Sequence, residues 1–228
     1  MHGTDIATLR GELSTFSTSS ADDVRAAEPG SPLPGEAADE RLRVLQAVLS
    51  IASVGGYGAL SLPLILSMAG VPRRSFNASF ASPEDAFVVA HDRCVEQLLR
   101  AVRAAIDPEQ APGQQLRQGV QAAAAYLVAD PARADALMLE VHVAGGRALR
   151  SQEEAVDVLV GQVRAVLGRA GIDDPQARRV ASLGIGALRE AIRARIARGE
   201  LHLLPDVVGE LVDAAFPLRS PTSATCRI

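Results

Sequence analysis

Between Pro72 and Ser82 the chain reads PRRSFNASFAS, and five of its side chains are of the kind that meet nucleic acids. An arginine fork can take both major-groove acceptors of guanine, and asparagine can do the same on adenine. Serine hydroxyls reach phosphates. Arg73, Arg74, Ser75, Asn77 and Ser79 are therefore candidate DNA contacts, joined by Ser61 and Ser82 at the starts of flanking helices. Other chemistries find no support. His2, His91, His142 and His202 lie far apart, and His91 with Cys94 offers a metal two ligands at most. Glu153-Glu154 and Asp173-Asp174 look like acids at helix starts rather than a catalytic dyad. A phosphate loop would need a strand before it, and no nucleophile motif is present. No catalytic residue, metal or cofactor is expected.

The elements that must position these residues are helices. Strand-like alternation is absent, aromatics make up only 3% of the chain, and Ala, Leu, Arg and Glu dominate. The spacing predicts helices over about 39–54, 62–68, 72–79 and 82–106, with Asp107-Pro108 ending the last. Ser61 is placed to cap the second, and Pro63 suits its first turn. The turn Ala69-Gly70-Val71-Pro72 between the second and third outlines a helix-turn-helix, whose second helix enters a DNA groove. Beyond it come about 18 helical residues before Asp130-Pro131, a helix ending near Gly145-Gly146, and another over about 147–170. The next is strongly punctuated: Asp174 as cap, Pro175 in the first turn, Arg193, Arg195 and Arg198 near the negative end, and Gly199 to close. A final helix runs from Pro205 to about Phe216. The fold class expected is all-α, with about nine helices.

Charge and composition set further bounds. Residues 1–40 hold eight acids and two arginines, a net −6, so the chain's overall −4 leaves +2 for the rest. The acidity belongs to the leader and does not argue against a nucleic-acid partner. The leader is rich in Ser, Thr, Ala, Gly and Pro and reads as a flexible extension over 1–38, with a short helix conceivable over 6–16. Residues 219–228 read as a frayed tail. All 23 basic residues are arginine, which with abundant Ala, Gly and Pro suggests a GC-rich bacterial genome. Cys94 and Cys226 do not suggest a disulfide scaffold, and no secretory signal is seen, so a reduced, cytoplasmic setting is expected. From Val44 to Pro72 there are 29 consecutive uncharged residues, long enough to span a bilayer. Gly55, Gly56, Gly58 and Pro63 divide that run and serines interrupt it, so no membrane span is expected.

The stretch SLPLILSMAGVPRRSFNASFASPEDA resembles the DNA-binding segment of the TetR (tetracycline-repressor-like) transcriptional regulators, which commonly reads T-V-R-D-I-A-x-x-A-G-V-S-x-x-T-F-Y-x-H-F-x-S-K-E-x-L. Shared positions are Ile65, Ala69, Gly70, Val71, Phe76 and Phe80, which build the three-helix core and would be kept with or without DNA. The contact positions depart. Asn77 stands where the family usually has Tyr, Ser79 where it has His, Pro83 where it has Lys, and Pro72 where a Ser caps the reading helix. Arg41, Arg43, Arg73 and Arg74 are the only charges within 41–80. A dimer would bring eight cations, enough for about four to eight contacts.

The resemblance implies a DNA-binding domain over 39–81 and a ligand-binding and dimerisation domain over 82–218. It implies double-stranded DNA, a second copy of the chain and an unidentified small-molecule effector as partners, and repressor over activator by family habit alone. Tyr126, Met138, His142 and Arg147 are candidate ligand contacts on otherwise apolar helices, although Tyr126 fits packing equally and a histidine placed like His142 is more often an ordinary core or surface residue. The i, i+3, i+4 stripes of the last two helices offer Leu183, Ala187, Leu188, Ala191, Val208, Leu211 and Val212 as a homodimer face, or as one monomer's core. Two functions fit these readings. One is a ligand-responsive regulator on a palindromic operator, and the other a dimeric ligand-binding or protein-interaction module with weakened or lost DNA binding.

Overall fold

In a computed structural model the structure describes residues 34–216, and these are all-α. The short helix expected over 6–16, most of the N-terminal extension and the C-terminal tail lie outside the described residues. Nine helices run in chain order among those described: α1 Pro34–Gly55, α2 Leu62–Ala69, α3 Arg73–Ser79, α4 Pro83–Ala105 and α5 Pro112–Val128. A rod made of Pro131–Asp135, a π turn Ala136–Glu140 and Val141–Ala144 is α6. Gly146–Arg169 is α7, Asp174–Ala197 α8 and Leu204–Ala215 α9. Short 3-10 turns, Tyr57–Ala59 and Leu201–Leu203, precede α2 and α9. No described helix is long and apolar enough to cross a membrane.

Local chemistry explains most boundaries. Proline stands in the first turn of α2, α4, α5, α6, α8 and α9, where its missing N–H costs nothing. Three departures from expectation have physical causes. Helix α1 starts at Pro34 rather than about residue 39, so residues 34–38 are helical and shorten the proposed extension. Asp173, not Asp174, caps α8: its backbone is extended and its carboxylate accepts the Gln176 N–H at 2.9 Å, while Asp174 is already in the helix. Ser61 holds the cap position of α2, but its hydroxyl makes no capping bond. Gly70 ends α2 at φ 61°, a left-handed conformation that a side chain would strain.

The core runs unbroken from the first helices to the last. Helix α1 buries Val44, Leu45, Val48, Ile51 and Ala52 against α2, α3, α4 and α6. Ile65, Ala69, Val71, Phe76 and Phe80 are all buried, and the two phenylalanine rings lie 5.4 Å apart. Each fully buried aromatic contributes roughly 1.5–3 kcal/mol, so this pair fixes how α3 sits on α1. Helix α4 packs on α1 at one end and on α5 and α7 along its length. Helices α7 and α8 form an antiparallel pair, and α9 closes over α5 and α8.

Candidate nucleic-acid interface and effector cavity

The four cations of the first three helices divide into two pairs. Arg43 Nη1 donates to the Gly70 carbonyl at 3.3 Å, bracing the turn. Arg41 Nη1 donates to the Ser79 carbonyl at 3.4 Å, and its guanidinium lies 4.9 Å above the Phe80 ring. Those two arginines hold the ends of α3. Arg73 and Arg74 are exposed at the start of α3 and have no partner among the described residues. Asn77 is exposed one turn later, while Ser75 and Ser79 are half-buried and the Ser75 hydroxyl oxygen is covered without a partner. The expected eight cations per dimer thus fall to four with free forks.

The start of α4 also departs from expectation. Ser82 Oγ accepts the Asp85 N–H at 3.1 Å, and Asp85 Oδ2 accepts the Ala81 N–H at 3.1 Å, a reciprocal capping pair. The Ser82 hydroxyl also holds the Glu84 carboxyl below its ordinary pKa. Pro83 lacks an N–H and Glu84 and Asp85 stand in the first turn, which makes it a poor seat for a phosphate, while Ser82 caps the helix. Ser61 is exposed at the start of α2.

Behind α4 the helices enclose an apolar cavity of about 100 Å³, walled by Leu98, Val102, Leu116, Leu159, Val163 and Phe216 among others. Of the four expected ligand contacts only Met138 reaches it. The Tyr126 hydroxyl donates to Gln97 Oε1 at 3.0 Å, and its ring is covered by Arg133 at 4.6 Å. Burial pushes the Tyr126 phenol up to about 12 and the neighbouring Cys94 thiol up to about 11, so both keep their protons at pH 7. Arg147 reaches Asp85 and Asp92, each at 3.4 Å, tying the start of α7 to α4. His142 is exposed and lines a separate recess of about 200 Å³ with Met138, Gly186, Arg189, Glu190 and Arg193. Met138 and Arg189 border both spaces. Sequence reasoning missed Arg189, although a cation directly after Leu188 in an otherwise small-residue stripe was a visible signal.

Two polar contacts connect this cavity wall to the first helices. Tyr57 N–H donates to Glu140 Oε2 at 2.6 Å, and the Ser53 hydroxyl binds the Asp135 carboxylate. Glu140 and Met138 belong to the π turn of α6, and Asp135 immediately precedes it. Such turns interrupt the regular backbone ladder. Here the Leu137 carbonyl accepts the side-chain amide of Gln152 from α7. The Tyr57 ring stands edge-on to Phe87 of α4 at 5.0 Å. On the same helix His91 is fully buried with neither nitrogen hydrogen-bonded; burial lowers its pKa, with Asp92 at 3.6 Å opposing, so it stays neutral at pH 7.

The expected dimer face is split by the packing. Leu188, Val208 and Val212 are buried within the chain itself, because α8 is covered by α7 and α9 and α9 lies on α5 and α8. Leu183 is 75% exposed and Ala187 is exposed, while Ala191 and Leu211 are half-buried. On α7, Val158, Gly161 and Ala165 share one exposed stripe.

No family model matches the chain, and no curated protein matches it. Solved structures do. The fatty acid degradation regulator FadR of Bacillus halodurans superposes with a TM-score of 0.67 at 15% identity, over 82% of this chain and 96% of that one. FadR of Bacillus subtilis, in complex with stearoyl-CoA, gives 0.67 at 14% identity, over 78% and 99%. A transcriptional regulator from Rhodococcus sp. Rha1 gives 0.63 at 21% identity, over 78% and 94%. Another similar structure, from Rhodococcus sp. RHA1, is a TetR-like regulator, with a TM-score of 0.62 at 19% identity over 76% and 93%. The chain has the TetR-like fold that its helix-turn-helix residues led us to expect.

Proposed function

We propose that this protein is a ligand-responsive, DNA-binding transcriptional regulator that acts as a homodimer on a palindromic operator, in the manner of a repressor. The observation that carries this reading is the unpartnered pair Arg73 and Arg74 with Asn77 on the second helix of the helix-turn-helix, beside two arginines spent on bracing it. Two copies joined through the exposed α7 and α8 stripes at Leu183, Ala187, Val158, Gly161 and Ala165 would present two reading helices to successive major grooves. The effector fills the apolar cavity, consistent with a similar structure being a complex with stearoyl-CoA. It acts through the π turn, since Met138 faces the cavity while its neighbours Asp135 and Glu140 grip Ser53 and Tyr57.

The test is binding to DNA flanking the protein's own gene, and to a randomised pool, at several salt concentrations. Four free arginines per dimer predict a log–log salt slope of about −4, at roughly −0.9 per neutralised phosphate. Arg73→Ala with Arg74→Ala should bring the slope near zero and abolish specific binding. Binding that ignores salt, or that survives the double substitution, refutes the reading and favours a ligand-binding or protein-interaction module.

A further inference from the structure

Resting on the cavity being the effector site, we infer that its ligand is an amphipathic anion: an apolar chain ending in a carboxylate or phosphate. The inner space and the outer recess are chemically opposite, yet they share two walls. Around the cavity the side chains are almost all hydrocarbon; Gln162 Oε1 is a lone buried acceptor without a partner among the described residues, and the Gln115 amide is already committed. Its Nε2 donates to the carbonyls of Pro108 and Gln110 at 3.0 and 2.7 Å, and its Oε1 accepts from Arg169 at 2.6 Å. A wholly polar ligand would strip its own hydration there without replacement. The recess is lined by His142, Arg189, Glu190 and Arg193 around Gly186, which adds no side chain to it.

Arg189 stands at the junction. It borders both spaces and has no hydrogen-bond or ion-pair partner among the described residues. Arg193 is held by Glu190 through contacts of 2.8 and 2.6 Å, on an exposed surface where an incoming anion can compete. The lining carries two guanidinium groups against one carboxylate, so its net charge is positive. A free arginine fork at the mouth of a hydrocarbon-lined space matches a bidentate oxyanion on an apolar tail. A neutral apolar molecule would fill the cavity and leave that fork unused. With the chain inward past Met138 and the head on Arg189, one ligand satisfies both spaces.

Isothermal titration of the full chain with decyl phosphate, decanoate and decanol, each below its micelle threshold, tests this. Both anions should bind at least about tenfold more tightly than decanol, the discrimination expected of one charge-assisted fork. A lead for decyl phosphate over decanoate assigns a phosphate head, and the reverse a carboxylate. Arg189→Ala should bring the anions to parity with decanol while decanol binding holds, and Arg189→Lys should keep part of the preference. Thermal melts of both variants confirm folding, since Arg189 bonds to nothing among the described residues. Equal binding of decanol and the anions overturns the inference. So does a preference that survives Arg189→Ala, or failure of all three to bind. Salt-sensitive DNA binding without uptake of amphiphiles sinks this inference alone, whereas uptake by a chain indifferent to DNA sinks the regulator reading alone.

Discussion

Two glycines in helix interiors should respond in opposite ways to the same substitution. An added methyl at Gly184 of α8 would overlap Phe216 Cε1 and lie 2.7 Å from Cζ and 2.8 Å from Cδ1, closer than real carbons approach. At Gly209 of α9 it would meet nothing within 4 Å. Glycine to alanine in a helix interior gains roughly 0.5–1 kcal/mol from backbone entropy. That gain stands alone at Gly209. At Gly184 it is opposed by overpacking, typically about 1–3 kcal/mol, because the Phe216 ring is only 2% exposed and must swing toward the cavity it lines. Gly184→Ala should therefore lower stability by about 1 kcal/mol while Gly209→Ala raises it by about 0.5–1 kcal/mol. Urea unfolding followed by circular dichroism reads the two midpoints. A cycle with Phe216→Ala isolates the cause, since without the ring Gly184→Ala should become stabilising. If Gly184→Ala stabilises the otherwise unaltered chain as Gly209→Ala does, the packing of α9 against α8 described above is wrong.

Two further outcomes follow from the proposed assembly and coupling. Leu183→Arg changes a side chain that is 75% exposed, so the helical spectrum should persist while sedimentation shows a monomer in place of a dimer. An unchanged dimer would place the interface elsewhere. Glu140→Gln replaces the charge-assisted bond to Tyr57 N–H with a neutral one, a loss of about 1 kcal/mol. The factor by which saturating decyl phosphate weakens DNA binding should then shrink about fivefold, and an unaltered factor would rule out the π turn as the route.

What the residue pattern revealed, and what it hid, follows the range of the interactions. Ile65, Ala69, Val71, Phe76 and Phe80 announce themselves because turn chemistry and helical spacing are local, and all are buried. Prolines in the first turn marked the starts of α2, α8 and α9 for the same reason. The α8 stripe misled because that helix is apolar on more than one side. Spacing found Leu183 and Leu188 together, yet five residues put them on different faces, one exposed and one inside. Site residues were harder still. Arg147 meets Asp85 and Asp92 across 62 and 55 positions, and Glu140 meets Tyr57 across 83, so no window of sequence contains either contact. A polar residue on an apolar helix reads as a pocket contact, but for Tyr126 and Arg147 the partner is another side chain of the same chain. The π turn had no local signature, because it is held from outside by Gln152.

The size of the cavity determines how a ligand can act. At about 100 Å³ it falls well short of the roughly 300 Å³ that a typical small-molecule site encloses, so occupancy must push a wall outward. Most walls resist, because they are interior faces of long, regularly hydrogen-bonded helices packed against their neighbours. The π turn is different: its ladder is already broken, its cavity-facing side chain is a flexible methionine, and one of its carbonyls is held by a single glutamine. It is the segment that yields at least cost, and it and the residue just before it carry the two carboxylates that fasten α1 and the turn before α2. A ligand that needs the cavity enlarged therefore binds best to the arrangement in which those carboxylates have moved. That difference in affinity is what linkage requires for an effector to alter DNA binding, and a cavity already large enough would not supply it.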